Sequence, residues 1–480
     1  MAYPLPRRLL APLLAAALAL APGGGPAAPA AERLPELGSP AASALPLHEE
    51  REIGAEMMRA LREQAELLQD PEINQYVQDL GRRLLAYGDP PELDFHFFVI
   101  EDGRINVFAM PGGHIGVHTG LIRKTRSESE LGGVIAHEIA HVSQRHIARQ
   151  LAHSQRLNLQ TAAALIAAVL LGSQDPQAGS AAAMAGMAAP IQQQLGYSRQ
   201  HEREADRTGV RIMADAGLNP HGMPRFFERL AEASRYAERP PEYLSTHPLT
   251  QDRIVEARDL AERARPAHAF NSGHHAFVRA RLEVLARQAD SSSAVAALHD
   301  ELRRAAGPTE RAAATYGLAL ALSREARRHE QALALLGTLA PLHADRLYIL
   351  LGRGEILRRA GRPEPALAAY AEARSLYPGS SAAVYRHAET LLQLGRAEPA
   401  RRLLSRAVRD GHDAPQLLRL LADAAHASGR EAEGYIALAR HYHALGERET
   451  ARAQLDNAVR TAESAYQRDR AEALRERWTP

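Results

Sequence analysis

The sequence contains no cysteine among its 480 residues, which excludes disulfide bonds, thiolate catalysis and thiolate metal ligands. Any metal site must therefore be built from histidine and carboxylate side chains. An excess of positive charge is absent as well, because 58 Lys and Arg residues are balanced by 57 Asp and Glu residues. Nucleic acid is thus a poor candidate for the main partner, since phosphate binding needs a concentrated positive surface.

Aromatic residues are also scarce, at 5% of the chain, whereas alanine, leucine and arginine are abundant. Because these three residues are strong helix formers, the composition favours a mainly helical protein. The 45% of apolar and 24% of charged residues are ordinary for a folded globular chain. At about 150 residues per domain, the length predicts two or three domains.

Residues 1–30 are predicted to be a cleaved secretory signal peptide. Arg7 and Arg8 precede an apolar run over 9–21, and small residues at 28–30 suit signal-peptidase cleavage. The run is shorter than the about 20 residues that span a bilayer, although an uncleaved anchor is the alternative. Export of a chain without disulfides indicates a bacterial periplasm.

Residues 31–265 are predicted to form a mainly helical domain with a small β-sheet. Helical spacing of apolar residues extends over 47–87, and three short strands follow within 93–118. The stretch 157–198 contains two short apolar pieces separated by Gly, Ser, Asp and Pro. We interpret it as two small-residue helices packed on the core. A mobile lid, or a surface that touches apolar substrate or lipid, is the alternative.

Residues 266–480 are predicted to form an all-helical solenoid of the tetratricopeptide repeat (TPR) type. Gly361, Gly395 and Gly429 are 34 residues apart, which is the repeat length of TPR helical hairpins. Each hairpin buries its apolar face only by stacking on its neighbours, and this produces a solenoid. A generic helical bundle is the alternative. The period does not distinguish a surface that binds partners from one that folds back over the rest of the chain.

Residues 137–141 have the sequence HEIAH, an HExxH pattern on a predicted helix. At about 100° per residue, His137 and His141 lie about 40° apart around the helix axis, so both can reach one metal ion. Zinc suits imidazole and carboxylate ligands, and Glu138 lies where it can act as a general base toward water. A chance occurrence of this short pattern is the alternative.

A third metal ligand is expected from a separate acidic helix. Glu202 and Asp206 are four residues apart and share a helix face, whereas Glu204 points about 200° away from Glu202. We predict that Glu202 is the ligand and that Asp206 orients an imidazole. A solvated charged helix is the alternative. His146 is nine residues from His137, or about 900° along an unbroken helix, so it is predicted to lie on the opposite side and to be structural.

These motifs together resemble the membrane-linked zinc peptidases that include the CAAX-processing Ste-type proteases. The resemblance is carried by HEIAH at 137–141, EREAD at 202–206 and NVFAMPGGHI at 106–115. It implies a gluzincin-type catalytic domain. With the export signal and the repeats, the chain is similar to periplasmic members of this family. This similarity implies degradation of misassembled outer-membrane β-barrel proteins. It also implies a TPR domain that engages the barrel-assembly machinery and promotes maturation of the barrel that exports lipopolysaccharide.

The same resemblance assigns an edge strand to Asn106, Val107, Phe108, Ala109 and Met110. An exposed strand beside the metal can pair with the backbone of an extended substrate. Such pairing recognises the main chain of the substrate more than its side chains, so it suits a protease that acts on unfolded chains.

A second role implied only by the resemblance concerns the segment 245–253. His247 would be an extra ligand that displaces the catalytic water and holds the enzyme inactive, and Arg253 would lie near the active site. From the residue spacing alone, this segment would be an ordinary loop before the next helix.

The leading hypothesis is therefore a periplasmic zinc metalloendopeptidase with an attached TPR platform for protein clients or partners. The runner-up is a TPR scaffold or chaperone whose zinc site is mainly structural or held inactive. The intact Glu138 favours the first, because a structural site has no use for a carboxylate that activates water. A third hypothesis, a lipid-processing or prenyl-protein protease, lacks the transmembrane helices that it would need.

Overall fold

The protein is described by a computed structural model over residues 45–88, 93–153, 198–236, 241–266, 271–339 and 346–478. The predicted signal peptide and nearly all of the stretch 157–198 lie outside the described residues. Within the described ranges, no helix has both the length and the apolar character that a membrane span requires.

The region up to residue 263 combines helices with a small sheet. Its elements are α1 Leu47–Gln64, α2 Pro71–Leu85, β1 His96–Ile100, β2 Val107–Met110, a 3-10 turn at Pro111–Gly113, β3 His114–His118, α3 Thr119–Lys124, α4 Glu128–Ser143, α5 His146–His153, α6 Arg199–Asp215, α7 Gly222–Tyr236, α8 Tyr243–Thr246 and α9 Gln251–Arg263.

The described strands form one sheet in the order β1-β3-β2. β1 runs parallel to β3, while β2 runs antiparallel to it with Val107 opposite Val117. Gly112 and Gly113 connect β2 to β3 with φ angles of 78° and 86°, a left-handed backbone that favours glycine. The strands predicted within 93–118 are confirmed, and β2 lies at one edge of this sheet.

α4 is the buried helix on which the candidate site is built. The amide N–H of Glu130 donates to the Ser127 hydroxyl at 3.2 Å, as the spacing of these residues in a capping box predicts. Ile135 and the other apolar residues on α4 are almost completely buried. α6 crosses α4 closely at Gly209, where an added Cβ would lie 3.2 Å from the backbone nitrogen of His137. This close approach brings the acidic helix against the HExxH helix.

The region after residue 266 is all-helical over its described residues. Its elements are α10 His274–Ala286, α11 Ser291–Arg304, α12 Pro308–Leu322, a 3-10 turn at Ala326–Arg328, α13 His329–Gly337, α14 Arg346–Arg359, α15 Pro363–Leu376, α16 Ser381–Gln393, α17 Ala397–Arg409, α18 Pro415–Ala427, α19 Glu431–Ala444, α20 Arg448–Arg460 and α21 Ala465–Arg477.

Left-handed glycines close the hairpins that the 34-residue period predicts. Gly361, Gly395 and Gly429 have φ angles of 70°, 70° and 71°, and the next helix begins two residues after each of them. Ala366 and Ala400 are also 34 residues apart, and both are fully buried where paired helices pack together. The TPR-like interpretation of this region is confirmed.

The apolar core is continuous between the two regions. One cluster of buried side chains extends from Ile135 on α4 through Phe277 on α10 and Tyr316 on α12 to Ile349 on α14. Later helices form smaller clusters of their own. The first helices of the repeat region therefore pack on the region that carries the HExxH helix.

A buried group of charges joins the two regions, and we call it the interface network: Asp70, Glu72, Arg281, Glu355 and Arg386. Arg281 on α10 lies 2.7 Å from Asp70 and 2.9 Å from Glu355. Arg386 on α16 lies 2.8 Å from Glu72. Burial raises the pKa of Asp70, but the two guanidinium groups outweigh burial and the net pKa is lowered. The repeat helices are thus held on the start of α2 by buried ion pairs.

Candidate metal centre

α4 presents two imidazoles side by side. The Nε2 atoms of His137 and His141 are 2.9 Å apart, and their ring centroids are 4.6 Å apart. Both side chains have no exposed surface. The spacing of four residues on one helix therefore places both nitrogens at a single point, as helix geometry predicts.

α6 adds a carboxylate to the two imidazoles. One Glu202 oxygen lies 3.3 Å from Nε2 of His141, and the other lies 3.6 Å from Nε2 of His137. The side chain of Glu202 is 2% exposed. Burial would raise the pKa of Glu202, but three neighbouring imidazoles outweigh burial and hold the pKa well below its usual range.

A third imidazole, from the end of α8, completes the group. Nδ1 of His247 lies 3.0 Å from a Glu202 oxygen and 3.3 Å from Nε2 of His137. His137, His141, Glu202 and His247, which we call the ligand cluster, each offer an atom within 4.8 Å of the others, and all four are buried.

The donor atoms of the ligand cluster fit a zinc ion. Zinc binds imidazole nitrogen at about 2.0–2.1 Å in tetrahedral sites, which places neighbouring ligand atoms about 3.3 Å apart. The five closest contacts among the cluster atoms, at 2.9–3.6 Å, agree with that spacing. Burial would lower the pKa of His137, yet Asp206 and Glu202 raise it to about 9. The cluster therefore favours positive charge at this point.

Asp206 and Arg253 lie just outside the ligand cluster. An Asp206 oxygen is 3.0 Å from Nδ1 of His137, the nitrogen that faces away from the cluster. Arg253 on α9 donates to both oxygens of Asp206 at 2.8 Å and reaches Glu202 at 2.5 Å. Burial opposes ionisation of Asp206, but Arg253 and His137 outweigh it and lower its pKa. The structure brings both predicted residues to the site.

Glu138 lies beside the ligand cluster and is fully buried. Its Oε1 is 3.4 Å from Nε2 of His247, the second nitrogen of the ring whose Nδ1 contacts Glu202. Burial raises the pKa of the Glu138 carboxyl, and the charges of His247 and His137 oppose that rise only in part. This carboxyl is therefore a stronger proton acceptor than an exposed glutamate.

The predicted edge strand is present as β2, yet it is covered. Backbone and side chain together, Val107, Phe108, Ala109 and Met110 are at most 5% exposed, and the preceding Asn106 is 4% exposed. The expectation of an exposed strand is therefore not met in this closed arrangement. α4 packs directly against β2, so the strand lies beside Glu138 and the ligand cluster.

The segment that carries His247 is fastened next to β2, a contact that sequence reasoning missed. The amide N–H of Tyr243 donates to the carbonyl of Ile105 at 3.3 Å, and Arg104 pairs with Glu242. The Tyr243 ring stacks on His247, with centroids 4.7 Å apart and an angle of 21°. An aromatic residue one helical turn before His247 was the available signal.

The predicted position of His146 was wrong. α4 ends at Ser143, Arg145 has a left-handed φ of 53°, and a new helix begins at His146. The count of 900° from His137 assumed an unbroken helix, and no glycine or proline marks the break. As a result, Nδ1 of His146 lies 2.8 Å from Nδ1 of His141. Glu204, which was expected to point away from the metal, lies 3.2 Å from the other nitrogen of His146.

Comparison with known protein families agrees with this arrangement. Residues 71–261 match peptidase family M48, and residues 357–424 match a tetratricopeptide repeat family. The chain therefore contains an M48 metallopeptidase domain and TPR repeats. The predicted fold class, a zinc peptidase domain with a short sheet followed by an all-α repeat region, is confirmed.

Curated relatives narrow the resemblance further. The beta-barrel assembly-enhancing protease of Yersinia pestis is 36% identical over 322 residues, covering 67% of this chain and 66% of that protein. The protein of the same name from Escherichia coli K12 is 39% identical over 254 residues, covering 53% of this chain and 52% of that protein. The mitochondrial metalloendopeptidase OMA1 of Schizosaccharomyces pombe is 27% identical over 200 residues, covering 42% of this chain and 56% of that protein. The aligned region thus spans about half to two thirds of each relative.

Proposed function

We propose that this protein is a periplasmic zinc metalloendopeptidase that acts in quality control and assembly of outer-membrane β-barrel proteins. The observation that carries the proposal is the buried ligand cluster beside Glu138, set within an M48 domain. The proposed division of the chain is a signal peptide at 1–30, a peptidase domain at 31–265 and a TPR-like domain at 266–480.

His137, His141 and Glu202 would hold the zinc. When bound, zinc supplies a Lewis acid that polarises the scissile carbonyl and makes water easier to deprotonate. Glu138 acts as the general base, and its burial suits it to hold a proton and pass it to the leaving amine. Asp206 fixes the orientation of His137, while Arg253 holds Asp206 in place from α9.

His247 is proposed as a regulatory fourth ligand that keeps the site closed. Its Nδ1 lies at the ligand cluster and its Nε2 lies near Glu138, so the ring occupies the space in which water would otherwise contact both. Removing this ring as His247→Ala should raise the rate of proteolysis. Unchanged or lower turnover, measured at full zinc occupancy, would contradict self-inhibition.

β2 is proposed as the strand on which substrate pairs, once the segment 241–247 moves away from it. An extended peptide can add to a sheet edge through main-chain hydrogen bonds, which orients its carbonyl groups. Unassembled β-barrel chains are long and extended, so they suit this mode of binding. The names of the curated relatives and the position of β2 support this substrate class.

The TPR-like region is proposed to recruit protein clients and the outer-membrane barrel-assembly machinery. Stacked helical hairpins create extended surfaces that commonly bind proteins. The continuous core and the interface network hold the described repeat helices on the M48 domain. A client bound to the repeats would therefore be held close to the ligand cluster.

The deciding experiment is degradation of an unfolded outer-membrane β-barrel protein by the zinc-loaded chain. Glu138→Gln keeps the size of the side chain but removes the base, so we expect a loss of about 10²–10⁴-fold in kcat at unchanged zinc content. The matched control is Glu63→Gln, a change on α1 outside the site.

The alternative function is a scaffold or chaperone whose zinc site is held inactive. The closed state of the site, with His247 at the ligand cluster, favours this alternative. Suppression of client aggregation at the same level by wild type and Glu138→Gln, with no cleavage by either, would establish it.

A further inference from the structure

We infer that His146 is a positioning residue that fixes the tautomer and orientation of His141, and that Glu204 fixes His146 in turn. The inference rests on the proposed function, because it takes His141 to be a zinc ligand. It assigns a role to two residues that the angle of about 100° per helical residue had predicted to point away from the metal.

The distances define which atoms meet. Nε2 of His141 faces the ligand cluster, 2.9 Å from His137 and 3.3 Å from Glu202. Its other nitrogen, Nδ1, lies 2.8 Å from Nδ1 of His146. Nε2 of His146 lies 3.2 Å from an oxygen of Glu204. The three side chains therefore form a line that ends at the proposed metal position.

Hydrogen-bond chemistry then determines where each proton lies. An ionised carboxylate only accepts, so Nε2 of a neutral His146 must carry the proton that it donates to Glu204. This leaves Nδ1 of His146 as an acceptor. The hydrogen on Nδ1 of His141 is donated to it, and Nε2 of His141 keeps a free lone pair for a cation.

The surroundings hold each member in the required state. Arg149 and Gln200 both contact Glu204 at 3.0 Å. The Arg149 guanidinium is a permanent cation, so it pairs with Glu204 as a carboxylate that accepts hydrogen bonds. With its Nε2 hydrogen directed at Glu204, the His146 ring keeps Nδ1 as the acceptor that faces His141.

The two HExxH histidines are thus oriented by different means. Asp206, a carboxylate on α6, faces Nδ1 of His137 at 3.0 Å. A neutral imidazole from α5 takes that place for His141. The left-handed Arg145 makes this possible, because it turns the chain so that His146 comes back toward α4. Metal-bound histidines usually donate their second N–H to such a partner, and loss of the partner typically weakens metal binding about 10–100-fold.

The test is the zinc dissociation constant of the full chain, measured by competition with a chromophoric chelator. His146→Leu removes the acceptor, and we expect zinc affinity to fall about 10–100-fold. His146→Asn places an amide oxygen near the former Nδ1, so it should recover most of that loss. His201→Phe is the matched control, since the His201 ring stacks on His146 with centroids 4.4 Å apart and phenylalanine can keep the stacking. We expect it to bind zinc like wild type.

Two further measurements separate positioning from packing. Circular dichroism of the metal-free variants reports whether each still folds. Long-range proton–nitrogen correlations in the zinc-loaded chain should show His141 protonated at Nδ1, and this signal should weaken in His146→Leu. Equal losses in His146→Leu and His146→Asn, or wild-type affinity in His146→Leu, would overturn the inference.

Measuring zinc affinity separately from client cleavage also distinguishes this inference from the proposed function. If wild type and His247→Ala bind zinc but cleave no client, the peptidase proposal fails while the role of His146 can still be measured. If Glu138→Gln abolishes cleavage but His146→Leu binds zinc normally, the role of His146 fails alone.

Discussion

Two buried groups of charges in this protein differ in how their charge is balanced. The interface network has three carboxylates, from Asp70, Glu72 and Glu355, against the guanidinium groups of Arg281 and Arg386. At its edge, the partly exposed Arg359 and Glu389 add one cation and one anion. At the candidate metal centre, three carboxylates face a single guanidinium, and the remaining groups are imidazoles. These carboxylates belong to Glu138, Glu202 and Asp206, and the guanidinium belongs to Arg253.

The difference between three negative charges and one positive charge at the metal centre is two, the charge of a zinc ion. A buried charge is costly unless it is paired. The interface network comes within one charge of balance, whereas the metal centre is two positive charges short. Burial would lower the pKa of His137, but Asp206 and Glu202 raise it to about 9, so the site also stabilises positive charge on this ring. The nearly balanced group holds two regions of the chain together, whereas the group with the larger deficit of positive charge suits a cationic ligand.

The largest expected effect on stability is at the interface network. Arg281→Met removes the buried guanidinium that Asp70 and Glu355 share, so each keeps a single arginine partner, Arg386 or Arg359. The loss should cost about 3–5 kcal/mol in the free energy of unfolding. Urea unfolding measures this cost. Arg303→Met is the control, because its pair with Asp300 is exposed and should be worth less than about 0.5 kcal/mol. Equal effects of the two variants would show that the interface network is not balanced as described.

Zinc should stabilise the metal centre by a smaller amount. At a free zinc concentration about 100 times the dissociation constant, binding to the folded state adds about 2.7 kcal/mol. The increment should persist in Arg281→Met and disappear in Glu202→Ala, as measured by unfolding with and without a chelator. Loss of the increment in Arg281→Met would mean that the two charge groups are coupled rather than independent.

A smaller effect is expected from pH at a third buried site. Burial, with repulsion from Arg279 and Arg229, lowers the pKa of His275 to about 3. Below the unfolded value of about 6.5 the unfolded chain binds the proton first, so stability falls as pH drops from about 6.5 toward 3. From pH 7.5 to pH 5 this site should lose about 1–2 kcal/mol.

The variant that checks the pH effect is His275→Gln, which cannot titrate but can still hydrogen-bond to Thr125, a contact of 2.9 Å in the wild type. Its free energy of unfolding should change less between pH 7.5 and pH 5 than that of wild type. An identical pH slope in both proteins would exclude His275 as a source of acid sensitivity.

Local patterns predicted much of the fold and several site residues. The predicted strands, the capped α4 and the 34-residue hairpins all depend on short-range spacing and on glycine in turns, so they could be predicted from the sequence. The meeting of His137 and His141 follows from helix geometry alone. The partner helix could be predicted only as far as its residue types, since the approach of α6 depends on close packing at Gly209.

Two features escaped prediction because they depend on contacts across the fold. His146 reaches His141 through a left-handed Arg145 that no glycine or proline announces. The interface network joins Asp70 to Arg281 and Arg386, which are more than two hundred residues away along the chain. No periodic pattern in the sequence predicts either contact.

By itself, the sequence determined which chemical groups are available: no thiols, two histidines one helical turn apart, acidic residues on a second helix, and glycines at repeat turns. Only the tertiary structure decided which of these groups share a buried, poorly solvated space, and therefore where charge is balanced and where a cation is needed. The reason is that pairing and desolvation depend on distance and burial, which arise when distant segments pack together.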